Sequence, residues 1–137
     1  MTAKSKNSTY STWAEVDLKA ISHNLKEILR VTSQNTFRIP SRGNFVQILS
    51  RPSSVLAVIK SDAYGHGMVR VGKLLERKGV GHLAVSDVSE GIALRQAGVQ
   101  APIVLFESTL PSLAKPICEH NFIPTVCTLD LPRAIDR

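Results

Sequence analysis

The chain has 137 residues, of which 43% are hydrophobic and 20% charged, and its formal net charge is +6. This composition provides enough apolar material for a folded core and excludes wholesale disorder. The basic residues are spread along the chain, apart from one locally basic segment at Arg38–Arg51, and they are not interleaved with aromatic residues. The positive charge therefore predicts a solvated surface and no nucleic-acid partner.

The cysteines and the N-terminus bear on metal binding and on cellular location. Cys118 and Cys127 form no CxxC pair and have no histidine at ligand spacing, so we expect no metal site and a reducing compartment. Residues 1–12 are polar and lack the apolar core of a signal peptide, and we expect them to be disordered. No apolar run is long enough to cross a bilayer. These features predict a cytoplasmic protein without a membrane partner.

The first third of the chain is predicted to contain one long helix. Trp13–Val16 alternates as a short strand would, and Asp17 has a side chain suited to cap a helix. The helical spacing of apolar residues after Asp17 predicts an amphipathic helix to about Val31. Residues 32–54 contain prolines, a glycine and many Ser and Arg residues, so we expect a long loop there, with a short strand at Phe45–Leu49.

From residue 55, short apolar runs alternate with segments of helical periodicity. The runs predict strands at Val55–Ile59, Leu83–Val85, Pro102–Phe106 and Pro124–Thr128. The first intervening helix is expected to end at Gly79; the second is expected to begin at Ser86 or Asp87 and to end at Gly98. Pro116 is expected to disturb a helix at Leu110–Glu119, and a further helix begins at Leu129.

Short buried strands that alternate with helices indicate βαβ units and a parallel sheet. The pattern alone fits either an open doubly wound sheet or part of a (β/α)8 barrel. The four predicted strands are about half of the ~8 strands of such a barrel.

Lys60 directly follows the first apolar run. In parallel α/β proteins, reactive groups cluster at the carboxyl ends of the strands, where a partly desolvated lysine can act as an amine nucleophile toward an aldehyde. Tyr64 can pack on a ring or donate to a phosphate, His66 can orient a neighbour, and Gly65 and Gly67 permit close backbone approach. Taken singly, each of these residues has an ordinary structural explanation, so the residues alone give only a candidate reactive lysine.

Three segments together resemble one known family. Ala57–Gly67, AVIKSDAYGHG, closely resembles the pyridoxal-phosphate attachment segment of alanine racemases, usually written AVVKANAYGHG. Thr12–Leu18 is similar to the opening TWAEIDL of that family, and Ser89–Gly98 is similar to its helix E-A-x-x-L-R-x-A-G. The resemblance covers nearly the whole chain from residue 12.

The resemblance implies a specific fold and activity. Alanine racemases have an N-terminal (β/α)8 barrel and a C-terminal β domain, act as homodimers, and use pyridoxal 5'-phosphate to interconvert L- and D-alanine, which supplies D-alanine for peptidoglycan. Residues 13–137 would then be the N-terminal half of a TIM-type barrel: about four βα units, truncated, without the C-terminal β domain, and with an insertion near 36–52. The second catalytic base of the family lies in the missing domain, so we expect a fragment that is inactive and unstable alone.

The resemblance also implies functions for individual residues. Lys60 would carry pyridoxal phosphate covalently and exchange a proton on the D-alanine face of the substrate. Tyr64 would contact the cofactor near its phosphate, and strand alternation would direct Val104 and Phe106 toward its ring. No residue is predicted to bind a metal.

Two alternatives and three departures remain at this point. The chain could belong to a racemase for serine or for several amino acids, or to a non-catalytic pyridoxal-phosphate-binding or vestigial protein, although such small barrel proteins lack Tyr-Gly-His-Gly after the lysine.

Asp62 stands where the family often has asparagine, and Phe106-Glu107 replaces a smaller Leu-Gly pair. Gly91 replaces an alanine within a helix, at a cost of about 0.5–1 kcal/mol.

Overall fold

The computed structural model describes residues 14–34, 37–41, 44–48 and 51–136, with side-chain surroundings for 14–32 and 51–136. The predicted disorder of residues 1–12 lies outside these ranges.

The described residues form an α/β structure. Its helices are α1 (Leu18–Gln34), α2 (Met68–Arg77), α3 (Val88–Gln96), α4 (Ala114–Glu119) and α5 (Asp130–Ile135). Its strands are β1 (Phe37–Ser41), β2 (Asn44–Ile48), β3 (Leu56–Val58), β4 (His82–Val85), β5 (Ile103–Ser108) and β6 (Phe122–Thr125). Single 3₁₀ turns lie at Pro52–Ser54 and Pro111–Leu113. A short helical segment at Lys60–Gly65, with left-handed backbone angles at Ser61–Tyr64, follows β3 and is called the turn after Lys60 below.

Strands β3 to β6 form a parallel sheet in chain order, as the alternation of strands and helices predicted. Its register aligns Ala57 with Leu83, Leu83 with Ile103 and Ile103 with Phe122. Leu83 and Ile103 are fully buried and belong to one core cluster with apolar residues of α2, α3 and α4. The helices therefore cover one face of the sheet.

The opposite face of the sheet is more open. On this face Val58, Ala84, Val104 and Ile123 lie side by side on adjacent strands. Phe106, two residues beyond Val104 on the same strand, is 42% exposed, and Ile123 is 44% exposed. Ala84 in this row is fully buried, and a register shift between Leu105 and Ser108 interrupts the alternation at Phe106, so the exposed part of this face lies at Ile123 in β6.

The N-terminal predictions are confirmed for the helix and wrong for the strand. Asp17 caps α1, since its Oδ1 accepts the Lys19 amide at 2.7 Å, and the helix continues to Gln34. Residues 14–17 form neither helix nor strand, so the strand predicted at Trp13–Val16 is wrong for the described part. A strand needs a backbone partner, and the described part of the chain provides none there.

The predicted loop at 32–54 contains a hairpin. Strands β1 and β2 are antiparallel, and their register pairs Phe37 with Ile48 and Ser41 with Asn44. The sequence indicated only the second strand, one residue too late, because Pro40 argued against a strand in the first. Whether this region is an insertion stays a prediction.

The fourth predicted strand is displaced, and the helix predicted at Leu110–Glu119 is divided into a 3₁₀ turn and a short α-helix. β6 occupies Phe122–Thr125 rather than Pro124–Thr128, because Asn121 adopts a φ of +52° that ends the preceding turn and starts the strand at once. The α-helix begins at Ala114, which makes Pro116 its third residue, where an amide has no intrahelical acceptor and the missing N–H removes no helix bond.

The stops of α2 and α3 are confirmed. Gly79 and Gly98 have φ values of +78° and +89°, which is the left-handed conformation that glycine adopts at low cost. After α2, the Val80 amide donates to the Leu75 carbonyl oxygen at 3.1 Å, and the same pattern closes α3. Both chain reversals therefore place the next strand beside its predecessor.

Asp87 is the residue that caps α3. Its Oδ1 accepts the Ser89 amide at 2.7 Å, the Glu90 amide at 3.1 Å and the Ser89 hydroxyl at 2.6 Å. The hydroxyl of Ser89, followed by the amide of Glu90, holds the pKa of Asp87 below its usual value of 3.8.

This lowered pKa makes a pH-dependent contribution to stability. Ionised Asp87 stabilises the folded chain above its unfolded pKa, and the stabilisation is lost as the pH falls through the lower folded pKa. The variant Asp87→Asn keeps a neutral cap. We expect its deficit in unfolding free energy, measured by urea denaturation, to shrink as the pH is lowered from about 5 to about 2. A deficit that stays constant over this range would contradict the assignment.

Gly91 has a packing function. A Cβ atom placed on it would lie 2.8 Å from Cζ and 3.0 Å from Cε1 of Phe122. Phe122 is buried at 6% exposure, and the Arg95 guanidinium lies 5.5 Å from its ring centroid. The glycine that departs from the family pattern therefore makes room for this phenylalanine.

We expect Gly91→Ala to lower the unfolding free energy by about 1 kcal/mol, because overpacking outweighs the gain in helix propensity. In a Phe122→Leu background, where the ring is absent, the same substitution should become neutral or stabilising. Urea denaturation of the four proteins of this double-mutant cycle measures the coupling. Equal effects of Gly91→Ala in both backgrounds would refute the packing explanation.

Candidate active site

Lys60 lies at the carboxyl end of β3, as predicted. The Ile59 amide donates to the Ala84 carbonyl oxygen at 2.8 Å, so ladder pairing continues one residue past the strand. Ile59 is 2% exposed, and its backbone angles (φ −126°, ψ 24°) have already left the extended conformation, so Lys60 begins the turn that follows β3. The Lys60 side chain is half-buried and has no ion pair with any residue of 14–32 or 51–136. Its amine is available to a ligand.

The turn after Lys60 is left-handed. Ser61, Asp62, Ala63 and Tyr64 have φ values of 51–54° and ψ values of 40–52°. This conformation costs a non-glycine residue about 1–2 kcal/mol, and runs of it are rare. Such strain persists only where the surrounding structure imposes it, and it concentrates at functional sites.

Backbone and side-chain hydrogen bonds hold the turn. The Ala63 amide donates to the Ile59 carbonyl at 2.9 Å, and the Gly67 amide donates to the Asp62 carbonyl at 2.9 Å. Asp62 Oδ1 also accepts the Met68 amide at 2.7 Å, which satisfies the first free N–H of α2. Asp62 thus closes the turn onto the following helix.

His66 contacts the same turn. Its Nδ1 lies 2.9 Å from the Ala63 carbonyl oxygen and 3.2 Å from that of Tyr64. Carbonyl oxygens only accept, so these contacts require the tautomer with a proton on Nδ1, which donates to them. The orienting role that the sequence suggested for His66 is directed at the turn backbone.

Glu90 connects two strand-end loops, and the sequence analysis had assigned it no role. Its Oε1 accepts the Ser61 amide at 2.6 Å, and its Oε2 accepts the Ser86 amide at 2.8 Å. A glutamate three residues after the N-cap Asp87 is the signature of a capping box, in which the carboxylate reaches back to the N-cap amide. Here the carboxylate reaches one residue further back, and also across to the turn after Lys60.

The structure places the remaining predicted site residues near this edge without testing their contacts. Val104 is half-buried on the sheet face opposite the helices, and Phe106, at the register shift between β5 and β6, is 42% exposed. Tyr64 ends the left-handed run and is 60% exposed. Contact of these three side chains with a cofactor stays a prediction.

Two other features concern metals and membranes. Across the described ranges, no three His, Cys, Asp or Glu side chains come together as metal ligands. No helix in the same ranges is long and apolar enough to span a bilayer.

Comparison with known proteins assigns the family. Residues 43–137, more than half of the chain, match the family model for the alanine racemase N-terminal domain. The chain belongs to the alanine racemase family. An alanine racemase of Methanococcus maripaludis is 34% identical over 125 residues, which are 91% of this chain and 29% of that protein.

Solved structures agree with the fold. An alanine racemase of Clostridium difficile superposes with a TM-score of 0.73 at 33% identity, over 93% of this chain and 30% of that one. A histidine racemase of Leuconostoc mesenteroides has a TM-score of 0.63, and its 22% identity over 85% of this chain and 26% of its own supports the fold alone. The predicted fold class, the N-terminal part of the alanine racemase barrel, is confirmed. The chain spans about 30% of the length of these racemases.

The bond from the Met68 amide to Asp62 gives a test of the turn. Asparagine presents the same Oδ1 acceptor and tolerates the left-handed conformation, so Asp62→Asn should change the unfolding free energy by less than about 0.5 kcal/mol. Asp62→Ala removes the acceptor and should cost about 1 kcal/mol or more. Urea denaturation compares the two variants. Equal losses would show that the charge of Asp62, and not its acceptor geometry, stabilises the turn.

Proposed function

We propose that this chain provides the lysine side of an alanine racemase active site, in which Lys60 carries pyridoxal phosphate and exchanges a proton at Cα of alanine. One observation supports this most directly: an amine without an ion pair in the described ranges stands at a strand's carboxyl end, immediately before the strained run Ser61–Tyr64. Membership of the alanine racemase family supports the choice of cofactor and substrate.

The residues present fit the cofactor. Covalent attachment needs an amine that is not committed to a carboxylate, and Lys60 meets this condition among the described residues. A phosphate needs donors and close backbone approach, which the exposed Tyr64 hydroxyl and the positive-φ glycines Gly65 and Gly67 offer. Bound pyridoxal phosphate supplies an aldehyde for attachment and a conjugated ring that accepts the electron pair of a substrate Cα–H bond.

The protein's contribution is orientation and proton transfer. Lys60 would accept the Cα proton on the D-alanine face when D-alanine is the substrate and donate a proton on that face when L-alanine is the substrate, while a second base of the whole protein acts on the opposite face. Val104 and Phe106, in the second half of β5, would present apolar surface that limits water near the reacting carbon. His66 and Asp62 keep the turn fixed while the lysine side chain moves. The remaining catalytic groups and the homodimer belong to the proposal for the whole protein, which supplies D-alanine for peptidoglycan.

The attachment can be tested directly on this chain. The protein is incubated with pyridoxal phosphate, reduced with borohydride and mapped by peptide mass spectrometry. We expect the pyridoxyl group on the peptide that contains Lys60. The variant Lys60→Ala should lose both the label on this peptide and the absorbance of the adduct between lysine and pyridoxal phosphate. Lys115→Ala is the matched control, because the Lys115 side chain is 83% exposed and its amine pairs only loosely with Glu119 at 3.7 Å.

The control separates specific attachment from surface labelling. Exposed lysines react slowly with any aldehyde, so Lys115→Ala should leave the Lys60 adduct and the absorbance unchanged. Labelling spread evenly over the lysines, with no preference for Lys60, would refute the proposed function.

A further inference from the structure

Two glutamates of the described chain each accept two backbone amides. Glu90 accepts the amides of Ser61 and Ser86, at 2.6 and 2.8 Å. Glu76 accepts the amides of Gln100 and Ala101, both at 2.7 Å. Glu76 lies in α2 and binds the loop that enters β5, whereas Glu90 binds loops that leave β3 and β4. Similar pairs of hydrogen bonds therefore lie at opposite ends of the strands in one sheet.

The Glu90 bond to Ser61 acts on the lysine that precedes it. Ser61 N is in the same planar peptide unit as the carbonyl of Lys60, so fixing this amide fixes the plane attached to the Lys60 Cα. The peptide plane on the other side of Lys60 is held by the Ile59 carbonyl oxygen, which accepts the Ala63 amide at 2.9 Å. The lysine backbone is thus held from both sides, which limits the directions that its side chain can take.

The same bond offsets strain where the strain begins. Ser61 is the first residue of the left-handed run, with a φ of 51°. A hydrogen bond from an amide to an ionised carboxylate is roughly twice as strong as one between neutral groups. The 2.6 Å bond to Glu90 therefore favours the left-handed geometry at the residue that turns the chain away from β3.

Through its second carboxylate oxygen, Oε2, Glu90 also connects the turn after Lys60 to the neighbouring strands by hydrogen bonds. Glu90 accepts the Ser86 amide, and the Ser86 carbonyl accepts the Glu107 amide at 2.9 Å. Glu107 directly follows Phe106 in β5. A continuous set of hydrogen bonds consequently runs from the turn after Lys60 to the strand that presents Phe106.

We propose that Glu90 is a positioning residue for Lys60, which it orients toward the cofactor through the amide of Ser61. This inference rests on the proposed function. Both carboxylate oxygens are committed to donors, so a glutamine at this position would turn an NH₂ donor toward one of the two amides. Loss of either bond releases the turn or the loop after β4.

The experiment compares Glu90→Gln with Glu76→Gln in the full chain. The rate of pyridoxal-phosphate attachment at Lys60 is followed by absorbance and by borohydride-fixed label on the Lys60 peptide. We expect Glu90→Gln to slow attachment at Lys60 by about tenfold, the effect of losing one charge-assisted bond. Glu76→Gln removes an equivalent pair of bonds far from Lys60, so it should lower stability while leaving this rate unchanged.

Amide hydrogen exchange without cofactor provides an independent measurement. The Ser61 side chain is exposed, yet its amide should be protected in the wild type and in Glu76→Gln, and lose protection in Glu90→Gln. If Glu90→Gln does not fold, an unprotected Ser61 amide in the wild type overturns the proposal and a protected one supports it.

The outcomes distinguish the two proposals. Equal attachment rates for the wild type and Glu90→Gln overturn the positioning role and leave the proposed function intact. A wild type whose Lys60 takes up no cofactor, although its Ser61 amide is protected, overturns both. A slower rate in Glu76→Gln, as large as in Glu90→Gln, would show that general stability controls attachment, and it overturns the positioning role.

Discussion

The left-handed turn after β3 is the constraint on which the site depends. Four consecutive non-glycine residues, Ser61 to Tyr64, hold a conformation that each would avoid in isolation. The opposing interactions come from outside the turn: β3 pairs with β4, Asp62 binds the start of α2, and Glu90 binds the Ser61 amide. The orientation of Lys60 therefore depends on contacts with the sheet and with the first turn of α3.

The location of the lysine could be predicted from sequence, whereas its geometry could not. The apolar run that ends in lysine indicated the end of β3, although Leu56 is exposed and Ala57 and Val58 are only half-buried, and the fully buried run Leu83–Val85 marked β4. Ala63 and Tyr64 have no local preference for a positive φ, so nothing in their identity indicated the left-handed run. Tertiary hydrogen bonds impose that run, and they are not visible in a local pattern.

Gly91 shows how a local rule can mislead. Considered as an isolated helical position, glycine lowers the helix propensity, and the sequence indicated no interaction that would offset this cost. The structure supplies one thirty-one residues later, because Phe122 occupies the space where a Cβ would stand. The same residue explains why β6 begins earlier than predicted: Phe122, at 6% exposure, is the buried residue that starts the strand and packs against α3.

The relation between Lys60 and Glu90 follows from one βα unit of the fold. Lys60 ends one parallel strand, and Glu90 is the third residue of the helix after the next strand. In a right-handed parallel arrangement the carboxyl ends of adjacent strands lie side by side, so the first turn of that helix begins next to the previous strand's end. A glutamate placed there can reach the neighbouring turn and its own loop together. A capping-box signature one βα unit after a strand-end lysine is thus a sequence feature from which such a bridge can be predicted, because both oxygens meet donors that the topology brings to one edge.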